Sequence, residues 1–147
     1  MKSRSSRNAI RPRSIQLDKA PQVVVSINDT FDFSGLEKAG EFDLIELRID
    51  LFSSLEIDHI LQVIARCKPY PIIATIRSSA EGGAFKKPEA DRLQLFKKVI
   101  PHIHAIDIEL SSKKILKEVV DAAHKKKKKV IISYHNFDIT PPRLSLN

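Results

Sequence analysis

A chain of 147 residues, 42% of them apolar, suits one domain with a real core, since a protein of this size buries roughly two-thirds of its unfolded surface. A single cysteine, Cys67, excludes an internal disulfide and fits a reducing, cytoplasmic setting, and no apolar stretch approaches the roughly 20 residues that cross a bilayer, so a membrane is not an expected partner. The formal charge is +7, but Lys2, Arg4, Arg7, Arg11 and Arg13 all precede the first acid, Asp18, so five of the seven charges belong to one end.

That end, residues 1–20, is expected to be a basic flexible arm. Its opening, MKSRSSRNAIRPRSIQ, has the Ser/Arg-rich, acid-free composition of an organelle transit peptide and equally of a solvated arm. The arm is favoured, because the stretch is short and Pro12 interrupts its one helical stretch.

From Pro21 the pattern becomes regular. Short β-branched runs, VVVSI from Val23, FDLIELRID from Phe42, YPIIATIRS from Tyr70, HAIDIEL from His104 and KVIISYH from Lys129, alternate with amphipathic segments. The clearest of these are SSLEIDHILQVIARC, PEADRLQLFKKVI and KKILKEVVDAAHK. Strand then helix, repeated about five times, means a parallel α/β architecture, with helices covering the outer face of near-continuous apolar strands.

Charges sit inside those strands with a spacing of two, and alternate strand residues share a face. Glu46 and Arg48 are therefore expected opposite Ile45, Leu47 and Ile49. Likewise Thr75 and Arg77 oppose Ile76, Asp107 and Glu109 oppose Ile106 and Ile108, and Ser133 and His135 oppose Ile132 and Tyr134. Four strands thus offer a polar face to a common interior, where isolated charges are tolerated only if paired or if they hold a polar ligand. Glu46, Asp107 and Glu109 can pair with Arg48 and Arg77, so an ion-pair network and a ligand site are both open readings. Position favours a site, because these residues lie toward the C-terminal halves of their strands.

Five motifs in order, VVVSI, ELRID, IRSSAEGG, DIEL and SYHNFDITPP, resemble the type I 3-dehydroquinate dehydratases over about Val23 to Pro142. The resemblance implies residues 21–142 as an incomplete (β/α)8 TIM barrel, about the first five β/α units. It implies a hydro-lyase of the shikimate pathway that converts 3-dehydroquinate to 3-dehydroshikimate without cofactor or metal. It further implies that His135 is the general acid/base, that Glu81 supports it, and that Ser26, Glu46, Arg48 and Arg77 contact substrate; it also suggests a homodimer. These residue types suit the task. An imidazole takes a proton beside a carbonyl and returns one to a departing hydroxyl, a carboxylate orients the imidazole, and arginine forks bind a polyhydroxylated acid. Gly82 and Gly83 allow the Glu81 loop to turn tightly, as Glu-Gly-Gly turns commonly do.

One family feature is missing. Members form a Schiff base through a lysine on the next strand, which a β/α unit of about 30 residues would place well beyond His135, yet twelve residues follow it and none is lysine. Residues 143–147 also depart from the amphipathic helix expected after Pro142, so truncation or a frame shift is expected there and the chain alone is expected to be inactive. Lys125 to Lys129 precede their strand and face the opposite end; a solvated lysine run is the default, and nucleic acid is not the expected partner. His102 and His104 have the spacing of a metal clip but lack a third ligand. The alternative function is a non-catalytic half-barrel that binds partners through its basic arm. With five strands, the outer two are expected to be unpaired on one side, the interior charges to face water, and the chain to be marginally stable and to self-associate or need a partner that covers those two strands.

Overall fold

The computed structural model describes residues 15, 20–38 and 42–140; the basic arm apart from Ile15 and Ala20, and the tail at 143–147, lie outside the described residues. Five strands, β1 (Val24–Ile27), β2 (Leu44–Arg48), β3 (Ile72–Thr75), β4 (Ala105–Glu109) and β5 (Lys129–Ser133), form one sheet in sequence order. Every neighbouring pair is parallel. The expected α/β order is therefore observed, each strand core being shorter than its apolar run.

Three crossovers carry α-helices: α1 (Ile57–Arg66), α2 (Glu89–Val99) and α3 (Leu116–Lys125). Their ends follow charge. Asp58, Glu89 with Asp91, and Glu118 open the three first turns, and Arg66, Lys97 with Lys98, and His124 with Lys125 close the last ones, each favourable to the helix dipole. Lys127 takes a left-handed φ of 56° just past α3, where the chain must turn into β5. The first crossover differs from the strand-then-helix expectation: a 3-10 stretch, Phe33–Lys38, stands there among the described residues. Gly35 and the Asp32 carboxylate, which binds the Ser34 amide and hydroxyl, favour that short turn over an α-helix.

The two sheet faces separate as strand alternation requires. Ile45, Leu47, Ile49, Ile72, Ala74, Ile76, Ile106 and Ile108 join Ile60, Val63, Ile64, Phe96, Val99 and Val119 of the helices in the main core. On the inner face, Leu44, Ile73 and Ala105 form a small second cluster near the strand N-termini, with Ile131 against it and Ile15 buried into it at 2% exposure. Above that apolar floor the inner face turns polar.

Candidate functional site

The polar inner residues line an open cleft of about 520 Å³, within the range of small-molecule sites. Glu46, Arg48, Arg77, Glu81 and His135 are brought together there, with Asp107, Gly82 and Phe137 beside them. Ser26 sits on the same sheet face in register with Glu46, but it is exposed and does not line the cleft.

Register explains the pairing on the inner face. Arg48 is opposite Thr75, Thr75 opposite Asp107, and Glu109 opposite Ser133. Thr75 Oγ1 donates to Glu46 at 2.7 Å. Arg77 Nη1 reaches Ser133 Oγ at 2.7 Å, Asp107 at 3.0 Å and Glu109 at 3.5 Å, and Ser133 in turn donates to Asp107 at 2.7 Å. Burial pushes the Asp107 carboxyl above its ordinary value, with the nearby Glu46 charge adding to the effect and Ser133 and Arg77 opposing it.

Two pairings differ from the sequence expectation. Arg48 forks onto Asp50, Nε at 3.0 Å and Nη2 at 2.8 Å, rather than onto Glu46, Asp107 or Glu109, and that fork raises the arginine above its usual value. Glu109 is held mainly by Arg92, at 2.8 Å, a residue of α2 that is fully buried. The expected wetting of the interior charges is overturned for two of the five: Arg77 and Glu109 keep 6% and 1% exposure, because Asp107, Ser133 and Arg92 pack around them, while Glu46, Arg48 and Asp107 stay partly exposed along the open cleft.

Glu81 and His135 meet at the end of the cleft. The segment Arg77–Phe85 folds back on itself, with Phe85 N donating to the Arg77 carbonyl, Ser79 N to the Phe85 carbonyl, and Gly83 N and Glu81 N to the Ser78 carbonyl. Buried carboxylates pin both of its ends: Glu109 accepts from Ser78 N at 3.0 Å and Asp50 accepts from Ala84 N at 3.1 Å. Burial alone would raise Glu109, yet the Ser78 amide and the Arg92 guanidinium outweigh it and hold the carboxyl below the usual range. Gly82 supplies a φ of +77° at the bend. So fixed, Glu81 Oε2 accepts from the His135 backbone amide at 2.8 Å and lies 3.0 Å from its ring Nδ1.

Three contributors were missed from sequence. Asp50 follows the ELRI run by parity, two residues beyond Arg48, so its place was readable; Arg92 and Ser111, which donates to Glu81 Oε1, depend on tertiary placement. His104 Nδ1 accepts the Ile72 amide at 3.1 Å, a structural role, and no group of three metal-ligating side chains occurs among the described residues. No helix among them is long and apolar enough to cross a membrane.

The family model described as type I 3-dehydroquinase matches residues 26–146. A 3-dehydroquinate dehydratase of Aquifex aeolicus (strain VF5) is 37% identical over 124 residues, covering 82% of this chain and 55% of that protein. One from Hydrogenobaculum sp. (strain Y04AAS1) is 34% identical over 122 residues, with the same two shares. The chain thus spans about half the length of the curated relatives it matches. Among solved structures, the Aquifex aeolicus enzyme superposes with a TM-score of 0.72 at 35% identity, over 83% of this chain and 56% of that one. A type I enzyme of Clostridium difficile, described with covalent modified comenic acid, gives 0.75 at 33% identity, over 84% and 54%.

Proposed function

The chain belongs to the type I 3-dehydroquinase family, and from that membership we propose that it supplies the acid/base and substrate-recognition half of a 3-dehydroquinate dehydratase site. The observation that carries this reading is the contact of buried Glu81 with His135 at the rim of a cleft lined by Arg48 and Arg77. Dehydration of a β-hydroxy ketone removes a proton beside the carbonyl and then expels a hydroxyl that must be protonated. His135 does both: it takes the carbon-bound proton and returns it to the leaving oxygen. Glu81, an acceptor, holds the ring at Nδ1 and stabilises the imidazolium that forms between the two steps. Arg77 makes its contacts through Nη1, and Arg48 through Nε and Nη2, so each guanidinium keeps N–H groups that the described residues do not engage. Those groups bind the carboxylate and hydroxyls of the substrate, Glu46 adds a contact from the cleft lining, and Ser26, outside that lining but in register with Glu46, reaches the substrate from the edge strand.

The electron sink is the remaining requirement. No lysine follows His135 in the sequence, so the imine-forming lysine comes from outside these residues, and the chain alone binds 3-dehydroquinate without turning it over. A homodimer and a cytoplasmic location belong to the same reading. The test has two arms. Incubated alone with 3-dehydroquinate and borohydride, the 147-residue chain is expected to gain no covalent mass. A substrate-sized addition on any lysine by mass spectrometry overturns the split. Completed by a chain carrying the later β/α units, it is expected to dehydrate the substrate, and His135→Ala is expected to lower turnover by about 10²- to 10⁴-fold while the adduct still forms. Activity of His135→Ala within a few-fold of the parent removes the histidine from the mechanism.

A further inference from the structure

Glu81 is gripped from two sides. Its Oε2 faces His135, while its Oε1 accepts a hydrogen bond from the hydroxyl of Ser111, which stands in the turn just beyond β4. That turn is itself fixed. Ser112 N donates to the Glu109 carbonyl at 3.0 Å and Lys113 N to the Ser111 carbonyl at 2.8 Å. The Ser112 hydroxyl donates to Glu109 Oε2 at 2.9 Å and receives a bond from Arg92. Ser111 is exposed as a residue, yet its hydroxyl is spent on a carboxylate of 6% exposure.

Oε2 is anchored by the His135 backbone amide at 2.8 Å, but a carboxylate anchored through one oxygen can still turn about its Cγ–Cδ bond and tilt its lone pairs away from Nδ1; one anchored at both oxygens cannot. We propose that Ser111 is a positioning residue for the acid/base pair, fixing the plane of Glu81 so that Oε2 stays on Nδ1 of His135. An accepting oxygen at Nδ1 selects the ring form that carries its hydrogen there and leaves Nε2 with the lone pair that takes a proton. Ser111 touches no reacting atom; it acts through Glu81. The proposal rests on the acid/base reading of His135, but its test uses no substrate, so the two can fail separately.

The test is long-range ¹H–¹⁵N NMR of the imidazole rings in the labelled 147-residue chain at about pH 8, above the ordinary imidazole range, with His135 assigned by the signal lost in His135→Gln. The parent is expected to show the Nδ1–H form of His135. Ser111→Ala is expected to shift the ring toward an even mixture of the two forms, Ser111→Thr to restore the parent pattern, and Ser111→Cys, with a weaker donor of similar size, to fall between. Lys113→Ala, in the same turn, is expected to leave the ring unchanged. A parent dominated by Nε2–H, or a Ser111→Ala spectrum identical to the parent at His135, overturns the assignment. So does a Thr variant that fails to restore the pattern while its amide spectrum remains native.

Discussion

A β-carbon added to Gly83 would lie 2.1 Å from the carbonyl oxygen of Arg77, whereas one added to Gly82 would meet the Phe137 ring at 2.7 Å. The two glycines are adjacent but constrained differently. Backbone cannot yield to Gly83, because the Arg77 carbonyl is bonded to Phe85 N. Phe137 is 77% exposed and free to swing from Gly82.

Gly83→Ala is therefore expected to displace the Glu81 loop and to cost about 1–3 kcal/mol, as overpacking does, with loss of the native His135 ring signal. Gly82→Ala also incurs a left-handed penalty, about 1–2 kcal/mol, but keeps the loop in place. Urea unfolding of both variants checks the energies, and the imidazole spectrum checks the order; an unperturbed His135 in Gly83→Ala contradicts it.

Removing the Arg92 charge leaves Glu109 buried with its nearest guanidinium gone and only Arg77, 3.5 Å away, as an opposite charge. Arg92→Leu is expected to destabilise the fold by about 3–5 kcal/mol, the usual cost of breaking a buried pair from one side. Glu109→Leu is not expected to be rescued by Arg92→Leu to the full parent value, since Ser78 N then loses its acceptor as well. Denaturant titrations of the two single variants and the double variant read this directly.

Acid sensitivity has a defined sign. Glu109 is held below its ordinary 4.5, so its unfolded form binds protons first and its stabilising contribution, complete above 4.5, is lost as pH falls through the folded value. Asp107 is raised above 3.8, so it works the other way: it opposes folding while ionised in both states, and that opposition disappears as pH falls below both values. Stability measured by urea unfolding at stepped pH is expected to decline below 4.5 in the parent and to decline less steeply in Glu109→Gln. Equal slopes would remove Glu109 from the acid response.

Sequence parity anticipated the inner face because period two needs no knowledge of tertiary structure: Glu46, Arg48, Arg77 and His135 all fell on the expected side. Helix-borne partners were harder. Arg92 shares a buried stripe with Phe96 and Val99, four and then three residues further on, which marks it as an arginine on a core face. Which carboxylate it meets depends on how α2 lies over β3 and β4, and no local pattern encodes that. Ser111 is less visible still, since a serine after a strand reads as an ordinary turn residue.

Both outer strands of the described sheet carry exposed apolar side chains, Val23 and Val24 at 57% and 45% near β1, and Ile132 and Tyr134 at 54% and 43% near β5. Strands pairing on one side only and apolar there are prone to edge association. The chain is expected to self-associate in size-exclusion chromatography with light scattering, and Ile132→Lys to shift it toward monomer. A parent that stays monomeric at every concentration contradicts this.

Sequential strand order has a kinetic consequence. Each strand pairs with the next one along the chain, so the sheet can lengthen unit by unit without waiting for distant segments, a route that loop-closure entropy favours. The inner charges mature in the same order. Thr75 meets Glu46 once β3 joins β2, the Arg77 charge meets Asp107 only when β4 arrives, and the Ser133 hydroxyl that bridges Arg77 and Asp107 comes last, with β5. Until β4 docks, Arg77 is a cation on a half-built surface, and water must solvate it. The arrival of Asp107 with β4 is thus the event that gives Arg77 its carboxylate partner and lets that part of the interior close.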